Sequence, residues 1–119
     1  MNDSAVVELT IVLDATDPAG LADFWAAALR YRRAGAVGPF EVLLPPEGDS
    51  RPTLLLQRVA EAKQGKNRMH LDLHVADLDL EVDRLVALGA QRLGEETLGE
   101  LRWVRMCDPE GNELDLVQG

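Results

Sequence analysis

Asp17 and Asp77 stand sixty residues apart, and each closes a β-rich stretch and opens a helix-patterned one. That repeat constrains the fold more than any other feature, because an internal repeat replaces one long topology with two copies of a short one. Before Asp17, "AVVELTIVLDA" (5–15) has the β-branched content and partial alternation of a strand. Asp17 is a capping residue, and Pro18 at the first helical position lacks only an N–H that would have no partner there. Leu21, Phe24, Trp25, Ala28 and Leu29 then form one apolar helical stripe. In the second half "NRMHLDLHVA" (67–76) predicts a strand, Asp77 a cap, and Leu78, Val82, Leu85 and Val86 a second stripe, with Gly89 supplying the left-handed residue that ends it.

Three short strand candidates follow each helix: "RRAGAV", "FEVLLPP" and "PTLLLQRV", then "AQRLGEE", "ELRWVRMC" and "NELDLVQ", the last two joined by the turn "DPEGN". "AEAKQGKN" between the halves is polar, has no period and reads as a linker. The expectation is an α+β fold of two βαβββ modules in one domain spanning 1–119, module one over about 5–60 and module two over about 67–119. Each sheet would lie under its helix on one face. Two curved sheets meeting on their other faces would leave a cleft suited to a small molecule.

The chain's formal charge of −9 argues against nucleic acid, whose phosphates need a basic face, and against docking on anionic lipid. A single cysteine, Cys107, excludes an internal disulfide. The opening residues lack the basic start and apolar run of a signal peptide, and no stretch reaches the ~20 apolar residues of a membrane span. A cytoplasmic protein is expected.

Two stretches, "HLDLHVADLDLEVDRLVALGA" (70–90) and "WVRMCDPEGNELDLV" (103–117), resemble the second module of the glyoxalase/bleomycin-resistance/extradiol-dioxygenase superfamily, also called vicinal oxygen chelate proteins. "TIVLDATDPAGLADFWAAALRYR" (10–32) resembles the first module, and "LLLQRVAEAKQGKNRMHLDL" (54–73) is similar to a glyoxalase-like subfamily whose members mostly have no assigned reaction. The resemblance implies a glyoxalase-like domain, a homodimer, and one divalent ion (Fe, Mn, Ni or Zn) held by one residue from the first and last strand of each module. Carried over singly, those positions are Thr10, Gln57, His70 and Asp115. Only His70 is the usual residue. Thr10 offers a hydroxyl, Gln57 an amide, and Asp115 replaces the usual Glu with a carboxylate one methylene shorter.

Strand geometry bears on the same residues. His70, Asp72 and His74 share a face by alternation. At ~3.3 Å per residue, His70 and His74 stand ~13 Å apart and cannot hold one ion together, whereas neighbours two apart can. Further ligands would have to come from across the cleft: Asp115, Glu113, Gln57, or Glu8, which alternation places on the face of Thr10. Arg105 is a candidate partner for Asp72. Trp103, Arg105 and Cys107 share a face, Trp103 as a stacking or packing aromatic and Cys107 as a structural thiol. Lys66 and Arg68 read as a solvated linker or as cations steering an anion. Phosphate-loop, Cys-x-x-Cys and helical His-Glu-x-x-His motifs are missing from the sequence.

Three classes of function remain open, the third of them an accessory or interaction domain with no ligand. The first is a binder of a small organic molecule with a degenerate metal site. The second is a metal-dependent lyase, isomerase or dioxygenase, anchored by His70 and Asp115 with Gln57 or Glu8 completing the shell and Glu113 or Glu8 as base.

Overall fold

The computed structural model describes residues 7–119. Two compact units divide between Ala60 and Glu61. Each is a four-stranded sheet with one helix.

The first unit runs β1 (Thr10–Ala15), α1 (Pro18–Leu29), β2 (Arg32–Val37), β3 (Phe40–Leu44) and β4 (Thr53–Arg58). Its strand order is β1-β4-β3-β2, with β1 parallel to β4 and the other pairs antiparallel. The second unit runs β5 (Leu71–Val75), α2 (Leu78–Leu88), β6 (Gln91–Leu98), β7 (Leu101–Cys107) and β8 (Glu113–Gln118), in the same pattern β5-β8-β7-β6. The α+β class and the βαβββ repeat are therefore as the sequence implies.

The helix starts follow from local chemistry. The Asp17 carboxylate accepts from Gly20 N at 3.3 Å, and Asp77 accepts from Leu80 N at 3.1 Å. Their ends differ: α2 stops on Gly89 (φ 117°), whereas α1 stops on Arg30, a non-glycine residue in the left-handed region (φ 58°). Leu21, Phe24, Trp25 and Ala28 bury the α1 stripe on the side of Leu43, Leu54 and Leu56. Phe24 and Trp25 meet edge to face, with centroids 5.5 Å apart. In the second unit Leu78, Val82 and Leu85 pack with Val104, Met106, Leu114 and Leu116.

Four expectations are corrected. β1 begins at Thr10, so positions 7–9 are not strand, and 5 and 6 lie outside the described residues. β5 begins at Leu71, which leaves His70 on the approach to the strand. Val86 is exposed rather than on the buried stripe, and Leu29 is only half-buried. In both helices the sheet is reached by a narrower stripe than the apolar pattern suggests. Among the described residues no helix is long and apolar enough to cross a membrane.

Candidate metal centre

β5 alternates cleanly. Leu71, Leu73 and Val75 are half-buried, while Asp72 and His74 are exposed, as is His70 just before the strand. β8 lies beside β5 in parallel, with Asp72 opposite Asp115. β7 lies on the other side of β8, with Arg105 opposite Asp115 and Trp103 opposite Val117. One row across the sheet therefore reads Asp72, Asp115, Arg105, on the face away from the buried Leu114 and Leu116.

His70 reaches into this row. Its Nε2 lies 3.1 Å from the Asp115 Oδ2 and 3.3 Å from the Asp72 Oδ1. One ligand atom from each of the three lies within 4.8 Å of the others. An ion with bonds of ~2.0–2.2 Å needs its donors ~3–4 Å apart, so the spacing fits. One imidazole and two carboxylates also suit a first-row dication in type and charge. Burial pushes the Asp115 carboxyl above its ordinary value, His70 opposes that, and the neighbouring Asp72 carboxylate adds to it.

The turn before β8 sets this register. The buried Asp108 carboxylate accepts from the backbone N–H groups of Glu110 and Asn112, both at 2.9 Å, and from the Asn112 side chain at 2.9 Å. Gly111 takes φ 91° to close the loop. Glu113 follows, and it is fully engaged. It accepts from Lys63 Nζ at 2.9 Å, from Asn67 N at 2.8 Å and from Lys66 Nζ at 3.3 Å, while its own N–H donates to Asn67 Oδ1 at 2.9 Å. The Lys63 ammonium and the Asn67 N–H hold the Glu113 carboxyl down at about 2. A carboxylate so acidic is a poor base at neutral pH. Lys63 and Asn67 had no sequence signal, since the contact spans a stretch without periodicity; Lys66 belongs to this clamp.

Asp115 lies in the same sheet as Asp72 rather than across a cleft. Arg105 pairs with Glu96 at 3.3 Å, and the half-exposed Asp72 finds His70 instead. Trp103 is half-buried. Cys107 is buried, its thiol 3.7 Å from Gln91 Oε1. His74 is exposed beside Val117. Glu8 precedes β1, so strand alternation does not extend to it. Thr10 opposes Thr53 while Gln57 opposes Asp14, which separates Thr10 and Gln57 by four register positions, ~13 Å. The counterpart of Asp115 in the first unit is set by the residue opposite Val12, the counterpart of Asp72. It is Leu55, two residues before Gln57.

Residues 10–117 match the model of the family described as glyoxalase-like domain. No curated protein matches the chain. Among solved structures, a glyoxalase/bleomycin resistance protein/dioxygenase family enzyme from Burkholderia phytofirmans is similar at a TM-score of 0.75 and 15% identity, over 91% of this chain and 94% of that one. A member of the same superfamily from Sphaerobacter thermophilus gives a TM-score of 0.71 and 17% identity, over 96% and 98%. The fosfomycin resistance protein FosX from Listeria monocytogenes, as a variant in complex with Mn(II) and a dihydroxypropylphosphonic acid, gives 0.70 and 16%, over 98% and 90%. At these identities the likeness is one of fold.

Proposed function

Because the chain belongs to the glyoxalase-like domain family, we propose that it holds a divalent metal through His70, Asp72 and Asp115 and acts with it on a small organic molecule. The convergence of one imidazole and two carboxylates, with ligand atoms within 4.8 Å of one another, carries this reading. Asp72 supplies the donor that the Thr10 and Gln57 positions lack. A dication held by His70, Asp72 and Asp115 would supply Lewis acidity toward an oxygen of the substrate. The protein's part is to fix the donors: parallel pairing of β5 with β8 sets Asp72 against Asp115, and the approach to β5 brings in His70. Glu113 serves to hold the linker rather than to move protons.

The test is metal analysis of protein purified without chelators, followed by titration of the stripped protein with MnCl2, ZnCl2, NiCl2 and Fe(II). Near-stoichiometric metal, lost in His70→Ala and Asp72→Asn, is expected. A wild-type protein that neither retains metal nor gains thermal stability from any of these ions refutes the reading.

A second reading, a metal-free binder, draws on the same contacts. His70 already bridges both carboxylates, and the equivalent row of the first unit is apolar, with Val12 opposite Leu55 and Leu55 opposite Val42. The proposal extends to a cytoplasmic homodimer. The free, buried Cys107 suits a reducing compartment, and light scattering measures the oligomeric state.

A further inference from the structure

We infer that Arg105 anchors a carboxylate of the ligand, at the end remote from the oxygen that reaches the His70–Asp72–Asp115 group. The remote oxygen rests on the metal reading above; the carboxylate anchor does not. Strand pairing puts Arg105 directly opposite Asp115 and on the same face, in a chain whose net charge is −9. Its guanidinium leans across β6, although its charge still acts on the Asp115 carboxylate. There Gly94 is its register partner, and the Arg105 Nη2 lies only 2.7 Å from where a Cβ on Gly94 would stand. A residue with a side chain at position 94 would push the guanidinium aside.

Arg105 is also loosely held. Among the described residues its ion pair is with Glu96, whose carboxylate comes no closer than 3.3 Å, and both side chains are about half exposed (48% and 47%). Four other arginines pair more tightly: Arg33 and Arg102 at 2.6 Å, Arg51 at 2.7 Å and Arg84 at 2.8 Å. A planar guanidinium with a weak partner on an accessible face favours bidentate capture of an incoming carboxylate.

The spacing defines the ligand class. The three-residue group lies on β5, the residue just before it and β8, and the guanidinium leans from β7 over β6. Two strand spacings, roughly 10 Å, separate them. A small α-hydroxy acid is too short to span that gap. An aryl carboxylate with an oxygen on the far side of the ring has the length once its contact distances are added. Trp103, two residues along β7 on the face of Arg105, offers such a ring a flat neighbour.

Calorimetric titration with para-hydroxybenzoate and the neutral para-hydroxybenzamide, each with and without Mn(II), tests this. The acid should bind about tenfold more tightly than the amide. Arg105→Gln should erase the difference, and Arg105→Lys should keep part of it, a point charge lacking the fork. Glu96→Gln, which removes the competing carboxylate, should widen it. Equal titration of acid and amide by the wild type, including no binding of either, overturns the inference, as does an acid preference that survives Arg105→Gln. Metal uptake without acid preference removes the anchor and leaves the metal reading standing. Acid preference without metal uptake does the reverse.

Discussion

Replacing Glu113 with Gln gives a pH-dependent loss of stability whose sign follows from the clamp. The Glu113 carboxyl is lowered from 4.5 to about 2, chiefly by Lys63 and then by the Asn67 backbone. At about 1.4 kcal/mol for each tenfold in proton affinity, that corresponds to about 3 kcal/mol before screening. Lys66 is three-quarters exposed (76%) and the Glu113 side chain itself one-fifth (21%), so water and salt screen much of it. Glu113→Gln should therefore lose about 1–2 kcal/mol at pH 7. Because the folded form is the more acidic one, the contribution is complete above pH 4.5. It declines as pH falls and is gone once pH drops below about 2. Urea unfolding of wild type and Glu113→Gln at pH 7, 4 and 2.5 measures it. The two midpoints should stand apart at pH 7 and nearly merge at pH 2.5. A gap of constant width across that range, or no gap at pH 7, refutes the clamp as an electrostatic device.

Three further outcomes are expected. Arg30→Gly should raise stability by about 0.5–1 kcal/mol in denaturant unfolding, because a left-handed non-glycine ends α1. Gly89→Ala should lower it by about 1–2 kcal/mol, since φ is 117° and the new Cβ would stand 3.2 Å from Pro109 Cγ. Asp108→Ala leaves the buried Asn112 N–H and amide without their acceptor, and should cost about 2–4 kcal/mol and weaken metal retention by loosening the entry to β8.

The features legible in the sequence were those decided over a few residues. Asp17 and Asp77 cap because their carboxylates reach N–H groups three residues on, and that chemistry is written in consecutive letters. The sixty-residue repeat extended two local readings into a fold. What stayed hidden depended on register between distant strands. Asp115 and Asp72 are forty-three residues apart, and only the β5–β8 pairing makes them neighbours. The same dependence misplaced the first-unit counterpart at Gln57, because the loops leading to β4 and β8 differ in length and the repeat interval cannot be counted through them. The Lys63–Glu113 clamp was invisible because its partners sit in a stretch with no period to read.

The two units carry one scaffold with unequal furniture. Where the second presents His70, Asp72 and Asp115, the first presents Thr10, Val12 and Leu55, with Val12 opposite Leu55 as Asp72 is opposite Asp115. The protein thus contains a blank copy of its own candidate centre. Thr10→His, Val12→Asp and Leu55→Asp together would write the donor set onto the blank, and a second equivalent of bound ion would measure how much of the site resides in the backbone frame and how much in three side chains.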